Sequence, residues 1–250
     1  MPINIWKRCD GQAYIKNLEA KVWRVVEAQH ISATRKLVDS VEEHAILEAL
    51  VEKAKPPAQY TDLHYLLYTP FRYPPLQYGS RFGKALQCSL WYGSLELEAA
   101  LTEVAYHRFL FLLGSTAQFS IVETQFSAFA VDIRTSHGVD LTKPLFNQYE
   151  YLISSPKDYS ASQALGDAMR KNKVEAFFYK TARAKQGTNV GIFSPEVFYT
   201  KKPQASSYQT WHCVSSLTAV EFTRQNLMKV NCQIFLAERF MVDGIFPMPA

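Results

Sequence analysis

The sequence is most constrained over residues 79–108, where a glycine-bounded turn leads into a short aromatic strand and then a helix. Glycine permits tight turns at little steric cost, and Ser94 is a residue type that caps the first turn of a helix. Arg81, Tyr92 and Glu103 lie on the turn, the strand end and the helix at equal intervals of eleven residues. This pattern predicts that three polar side chains of different chemistry meet in one pocket.

The helix that carries Glu103 has apolar residues almost all round, so we expect it to be buried. Glu103 lies away from the most solvated sector of the helix. A buried carboxylate is costly unless a cation or a hydrogen-bond donor compensates it. We predict Arg81 as that partner. On this pattern alone, a structural ion pair or a Glu at an exposed helix margin remains an alternative to a catalytic site.

The composition favours one domain. The chain has 250 residues, of which 48% are hydrophobic, and can therefore bury a full core. Several strand-like runs and three or four helices predict an α+β fold. We expect a single domain over residues 1–250, in which a strand and helix of residues 1–60 pack on a core whose motifs span residues 63–198.

Charge and cysteine content exclude several classes of function. The net charge of +4 is too mild for a nucleic-acid binder but suits an anionic small molecule or an acidic partner. The four cysteines are scattered and predict neither a metal site nor a redox motif. No run resembles a secretory signal or a membrane span. We therefore expect a cytoplasmic protein without a metal, a membrane contact or a direct contact to nucleic acid.

The first half of the chain predicts a strand over residues 21–28 and a helix after Ser40. Arg24 of the strand points either into a site or, as the sequence favours, to solvent from an edge strand. Ser40 and Glu43 form the pattern of a capping box. The helix is predicted to end at Pro56 and Pro57 and to face inward with Ile46, Leu47, Leu50 and Val51.

Residues 63–75, LHYLLYTPFRYPP, read as an extended aromatic segment because its prolines disfavour a helix. Arg72 and Tyr73 lie between these prolines on a stiffened backbone. A rigid loop that carries both residues is suited to contact a phosphate or an aromatic ring. An arginine stacked on its aromatic neighbours is an equally good interpretation.

The second half predicts strands over residues 119–133, with an interruption near Phe126, and over residues 174–179. A helix is expected at residues 160–171. The basic loop KTARAKQGTN at residues 180–189 lies between two strands and forms a second candidate wall of the site.

An ordered series of motifs carries a resemblance to a known family. TPFRYPP, GSRF, WYGS, ALTEVAYH, YKTAR and NVGIFSPEVF resemble, in this order, the RES domain family, toxins of RES/Xre toxin–antitoxin modules. The resemblance covers roughly residues 22–198. The family is named for an Arg, a Glu and a Ser. The resemblance places Arg and Glu at Arg81 and Glu103, with Tyr92 as the associated aromatic residue. Thr181 in YKTAR stands where the family usually has Ser, and it retains the hydroxyl.

The resemblance implies a fold similar to ADP-ribosyltransferases of the diphtheria-toxin kind, a split β-sandwich cleft with flanking helices. It also implies an enzyme that consumes NAD⁺ as a substrate, needs no resident cofactor and causes growth arrest. An Xre-type antitoxin is the implied partner, and a homodimer within a larger toxin–antitoxin complex is compatible with this assignment.

The implied reaction breaks the bond between nicotinamide and ribose through an oxocarbenium-like species. Glu103 would stabilise the developing positive charge, and Arg81 would bind the diphosphate. Tyr92 would stack on nicotinamide and Thr181 would hydrogen bond the ribose or the carboxamide. Residues 72–73 would complete the anionic and aromatic contacts.

The acceptor of the ADP-ribosyl group is left open between water, phosphate and a protein. One alternative is therefore a mono-ADP-ribosyltransferase that modifies a host protein. Another is a non-catalytic module that binds the antitoxin, in which Thr181 marks lost chemistry. His107, one helical turn from Glu103, is a further candidate for the wall of the site.

Overall fold

A computed structural model describes residues 3–28, 33–55, 60, 62–73, 78–117, 120–225 and 230–248. The helices in this part of the chain are α1 Ile5–Arg8, α2 Val41–Ala54, α3 Tyr65–Arg72, α4 Leu97–Gly114, α5 Glu150–Ile153 and α6 Ser160–Lys171. The strands are β1 Lys16–Glu27, β2 Trp91–Ser94, β3 Val122–Asp140, β4 Ala176–Lys180, β5 Thr188–Ile192, β6 Gln209–Ser215, β7 Ala219–Gln225 and β8 Val230–Leu236. The predicted helix at residues 160–171 is confirmed as α6.

The strands form one hydrogen-bonded network in the order β1-β2-β5-β4-β3-β6-β7-β8. Because β1 also pairs with β3, the first five strands in that order close into a ring. The long strand β3 then continues into an antiparallel arm with β6, β7 and β8. The α+β class is confirmed. The two sheets of the expected split β-sandwich correspond to the ring and the arm, which share β3 and belong to one hydrogen-bonded network.

Strand β3 has no interruption at Phe126, contrary to the prediction. Phe126 pairs with Glu27 of β1 and with Trp211 of β6, so β3 is a central strand at that point. Its side chain is buried in the core under the arm. Phe119, the predicted start of this strand, lies outside the described residues.

Strand β1 is confirmed and is longer than predicted. Its register runs from Lys16 to Glu27 against β3, and Trp23 pairs with Ser94 of β2. Because β1 has a neighbour on both sides, the expectation that Arg24 projects to solvent from an edge strand is wrong.

Helix α2 has the predicted capping box. Ser40 Oγ accepts from the amide of Glu43 at 3.0 Å, and a Glu43 carboxylate oxygen accepts from the amide of Ser40 at 3.3 Å. The predicted inward face is wrong, because no described residue of α2 is buried; Ile46 and Leu50 are 62% and 59% exposed. Leu47 and Val51 are half-buried. Pro56 and Pro57 lie outside the described residues.

Helix α3 occupies the segment that was predicted to be extended. Pro70 lies inside this helix and has no amide to donate to the carbonyl of Leu66, four residues earlier. The indole Nε1 of Trp91 donates to that carbonyl at 3.2 Å, so the orphaned acceptor is satisfied by tertiary structure. Pro74 and Pro75 lie outside the described residues.

Helix α4 begins at Leu97 with Glu96 at the cap position, so the assignment of Ser94 as the cap is wrong. Ser94 is the last residue of β2. The helix is buried as predicted, with Leu101, Ala105 and Phe109 fully enclosed. In the part of the chain that the structure describes, no helix combines the length and the apolar character needed to cross a bilayer.

Candidate functional site

The GSRF turn is built by glycine at Gly79, whose φ is +73°. A Cβ atom at this position would lie 2.3 Å from the carbonyl oxygen of Gly83. Ser80 and Gly83 exchange backbone hydrogen bonds of 2.7 and 3.3 Å, which leaves Arg81 and Phe82 at the tip of the turn. Only glycine combines the positive φ with this close approach.

Phe82 and Tyr92 anchor the turn to the core. The Phe82 ring is fully buried with its centroid 4.6 Å from that of Phe177. The Tyr92 hydroxyl accepts from the amide of Phe82 at 3.1 Å and shares a 2.9 Å hydrogen bond with Ser80 Oγ. Burial raises the pKa of Tyr92, so this phenol is neutral and braces the turn.

Arg81 is buried without a carboxylate partner in the described part of the chain. One guanidinium nitrogen, Nη1, donates to the carbonyl of Ser155 at 2.7 Å, and the guanidinium carbon lies 4.5 Å from the centroid of the Tyr159 ring. The predicted ion pair with Glu103 is wrong. A carbonyl and an aromatic face position this cation, and no described carboxylate neutralises its charge.

Glu103 is held by neutral donors. Its Oε1 accepts from Thr181 Oγ1 at 2.9 Å and from Asn189 Nδ2 at 2.7 Å. Ser94 Oγ in turn donates to Asn189 Oδ1 at 2.7 Å. No hydrogen bond to Oε2 occurs within the described residues. One carboxylate oxygen is therefore held by two donors of the protein, and the other is able to accept further hydrogen bonds.

Thr181 contacts Glu103 and does not line the cavity described below. Besides its donation to Glu103, the Thr181 hydroxyl accepts from the amides of Arg183 and Ala184 at 3.1 and 3.4 Å. The one hydroxyl of Thr181 therefore both orders the loop after β4 and holds the Glu103 carboxylate. A serine would supply the same hydroxyl, so the departure from the family's Ser preserves this contact.

A cavity of about 510 Å³ connects these elements. This volume lies within the range of small-molecule sites. Among the described residues, its charged lining consists of two guanidinium groups and one carboxylate, with His107 also in the wall. The polar side chains that line it include Arg24, Arg81, Tyr92, Glu103, Tyr159 and Asn189.

Arg24 is the lining residue that the sequence assigned to solvent. Its Nη1 donates to the carbonyl of Tyr92 at 2.7 Å, and its guanidinium carbon lies 5.0 Å from the ring centroid of Trp91. Desolvation lowers the pKa of Arg24 to about 10. The cavity wall thus carries a second cation in addition to Arg81, and its net charge favours an anion.

Arg72 and Tyr73 are not brought to the cavity. Arg72 ends α3 and pairs with Glu52 of α2 at 3.2 Å, and its guanidinium carbon lies 6.0 Å from the ring centroid of Tyr73. Tyr73 is exposed. The structure therefore favours the second interpretation of this pair, an arginine that lies against its aromatic neighbour.

Sequence reasoning missed Asn189, Tyr106 and Tyr159, which reach the cavity from β5, α4 and the loop before α6. Asn189 had a usable signal, since it is a polar residue at the start of an apolar strand in the motif NVGIF. The tyrosines had none, because buried aromatic residues are common in cores. His107 lines the cavity, as one interpretation of the sequence allowed.

Fold and site define an α+β protein whose cavity is lined by one carboxylate, Glu103, and two guanidinium groups, Arg24 and Arg81. A model of the RES domain matches residues 44–214, and the chain belongs to the RES domain family. The family predicted from the motifs is confirmed.

A crystal structure of the M. tuberculosis MbcT–MbcA toxin–antitoxin complex aligns with a TM-score of 0.48 at 14% identity, covering 83% of this chain and 90% of that chain. A comparison with curated protein sequences gave no significant match.

Proposed function

We propose that this protein is an NAD⁺-consuming toxin that cleaves the bond between nicotinamide and ribose. The observation that carries the proposal is that one cavity is lined by Arg24, Arg81 and Glu103, and that Oε2 of Glu103 accepts no hydrogen bond within the described residues. A dinucleotide has the complementary pattern, a diphosphate for the cations and a sugar that becomes positive for the carboxylate. Membership of the RES domain family supports the same substrate.

In this reaction the carboxylate of Glu103 and the guanidinium groups have different roles. As the glycosidic C–N bond breaks, its electron pair leaves with neutral nicotinamide and positive charge develops on the ribose. Glu103 Oε2 stabilises that charge, while Oε1 is held by Thr181 and Asn189 so that little reorganisation is needed. Water then adds to the ribosyl carbon and releases a proton, which gives ADP-ribose.

Arg81 and Arg24 bind the diphosphate in this proposal. Each guanidinium has donors left over after its single carbonyl contact, to Ser155 and to Tyr92 respectively. The ring of Tyr92 offers a stacking surface for nicotinamide, since its hydroxyl is engaged by the GSRF turn. Thr181 has a positioning role through Glu103, which replaces its predicted contact with the ribose.

We further propose that the protein acts in the cytoplasm and that a cognate Xre-type antitoxin neutralises it by blocking the cavity. This proposal follows from the family resemblance of the motifs. Growth arrest on expression of the toxin alone, relieved by coexpression of a candidate antitoxin, tests it. Binding of the antitoxin should also prevent the binding of ADP-ribose.

The deciding experiment compares Glu103→Gln with wild type in an assay of nicotinamide release from NAD⁺. Losing a principal electrostatic stabiliser costs about 3 kcal/mol, so kcat should fall roughly a hundredfold or more. Glu98→Gln is the matched control, because Glu98 is exposed on the same helix and lies outside this cavity. A Glu103→Gln rate equal to wild type would refute the assignment.

The products decide between the remaining functions. Free ADP-ribose indicates hydrolysis, a phosphorylated ADP-ribose indicates phosphate as acceptor, and a protein with added ADP-ribose indicates a mono-ADP-ribosyltransferase. Wild-type protein that neither turns over NAD⁺ nor stops growth would instead support a non-catalytic module that binds the antitoxin.

A further inference from the structure

Beyond residue 214, where the family match ends, the chain forms two more strands and then a tight hairpin of residues 242–245. The outer residues of the hairpin exchange backbone hydrogen bonds of 2.9 and 3.1 Å. Asp243 and Gly244 between them have φ angles of 53° and 75°. Consecutive positive φ values at an Asp-Gly pair are typical of a type I′ turn, which gives residues 246–247 a defined direction.

These two residues pack on Tyr106 of the cavity wall. The Phe246 ring is stacked on Tyr106 with centroids 5.4 Å apart and an interplanar angle of 9°. The Tyr106 hydroxyl donates to the carbonyl of Pro247 at 2.7 Å. Burial raises the pKa of Tyr106, so the hydroxyl keeps its proton and remains a donor. The position of Tyr106 thus depends on both residues.

A chain of contacts leads from Tyr106 to Arg81. The guanidinium carbon of Arg183 lies 3.5 Å from the centroid of the Tyr106 ring. Arg183 Nη2 donates to the Tyr159 hydroxyl at 3.2 Å, and the Tyr159 ring faces the guanidinium of Arg81 at 4.5 Å. The side chains in this chain of contacts are buried and closely packed. A shift of Tyr106 should therefore be transmitted to Arg81.

A second link joins the hairpin to the same arginine. Asp243 pairs with Lys157 at 2.6 Å, and Lys157 belongs to the loop whose Ser155 carbonyl accepts from Arg81. Both partners of the pair are largely exposed, so its energetic contribution is small. The aromatic route through Phe246 is therefore the one that we expect to dominate.

We propose that Phe246, delivered by the hairpin of residues 242–245, is a positioning residue for Arg81 and hence for the anionic part of the ligand. The inference rests on the proposed function of the cavity. Arg81 has no carboxylate partner among the described residues, so aromatic and carbonyl contacts define where its guanidinium lies. A cation that is already in place binds an anion without a further entropic cost.

Binding of ADP-ribose by calorimetry, together with steady-state turnover of NAD⁺, tests the proposal on the full chain. Phe246→Leu should weaken the binding of ADP-ribose about tenfold, the equivalent of one lost aromatic pair, and raise KM more than it lowers kcat. Phe246→Tyr keeps a ring in place and should restore the affinity. Phe235→Leu is the matched control, because Phe235 is buried in the same core and its ring packs on Phe222, whereas no ring pair between Phe235 and Tyr106 occurs within the described residues. It should lower the melting temperature and leave the affinity unchanged.

Gly244→Ala provides a second variant that keeps the core intact. A Cβ at Gly244 meets no atom within 4 Å, so only the strain of its positive φ acts on the hairpin. We expect a smaller loss of ADP-ribose affinity in the same direction. Wild-type affinity in both Phe246→Leu and Gly244→Ala would overturn the positioning role while leaving the proposed function intact. A wild-type protein that binds neither ADP-ribose nor NAD⁺ would overturn both.

Discussion

Asn189 donates a 2.7 Å hydrogen bond to Oε1 of Glu103 and so joins strand β5 to helix α4 at the base of the cavity. Ser94 donates to the other end of the same amide at 2.7 Å, which requires the amide oxygen to face Ser94 and the nitrogen to face Glu103. Ser94 and Asn189 are 1% and 2% exposed. The orientation of the carboxylate is therefore set by buried neutral groups.

Asn189→Ala should reduce kcat for nicotinamide release by tenfold or more. The reason is that a hydrogen bond to a charged group contributes about 1.5–3 kcal/mol, and its loss frees Glu103 to rotate away from the substrate. Asn172→Ala is a matched control at the end of α6, where the side-chain amide donates to the carbonyl of Ala168 at 2.9 Å and, within the described residues, forms no other hydrogen bond. If both variants keep the wild-type kcat, Asn189 does not position the carboxylate.

Thr181→Ser should retain most of the activity, whereas Thr181→Val should lose both activity and stability. Valine has nearly the shape of threonine but cannot donate to Glu103 or accept from the two loop amides. Unsatisfied buried groups cost about 1–3 kcal/mol each, so thermal unfolding should begin at a clearly lower temperature. Equal behaviour of Ser and Val variants in turnover and in thermal denaturation would contradict the role of the hydroxyl.

The affinity for ADP-ribose should decline as the pH rises through about 10, because Arg24, with a pKa of about 10, loses its charge there. Burial raises the pKa of Tyr92 and Tyr179, so both phenols keep their protons to a higher pH than an exposed tyrosine does. Arg24→Gln should bind more weakly below pH 10 and lack this decline. Calorimetry across the pH range measures this affinity. An equal decline in wild type and in Arg24→Gln would show that Arg24 is not the group responsible.

The lowered pKa of Arg24 also makes the folding stability depend on pH. The lowered pKa of Arg24 means that the unfolded chain binds more protons above pH 10, so this group makes stability rise with pH between the folded and unfolded pKa values. Below that window the buried charge opposes folding. Arg24→Gln should therefore not lower the melting temperature at neutral pH, although it weakens ligand binding.

Gly79→Ala should destabilise the protein by more than about 1 kcal/mol and weaken ligand binding. The positive φ is strained for alanine, and the added methyl meets the Gly83 carbonyl, which displaces the turn that carries Arg81. Gly114→Ala is the matched control, since it lies at the end of α4 with nothing within 4 Å of the added atom. It should be neutral or stabilising in urea denaturation, because alanine favours a helix.

The sequence correctly predicted the elements that depend on interactions between residues close together in the chain. The capping box of Ser40 and Glu43 and the helix of residues 160–171 are both present, since backbone capping and apolar periodicity act within a few residues. The prediction failed at α3, where the bond from Trp91 that accommodates Pro70 comes from a distant strand. The domain boundary of residues 1–250 and the catalytic roles of Arg81, Tyr92, Glu103 and Thr181 stay predictions.

The sequence by itself determined the family, the α+β class and two residues that the structure brings to one cavity, Glu103 of α4 and Arg81 of the glycine-bounded turn. Only the tertiary structure decided the partners of these groups. It replaced the expected ion pair of Arg81 and Glu103 with separate neutral contacts, and it brought Arg24 into the cavity. The physical reason is that hydrogen bonds and burial depend on which strands become neighbours, and the closing pairing of β1 with β3 joins segments about a hundred residues apart.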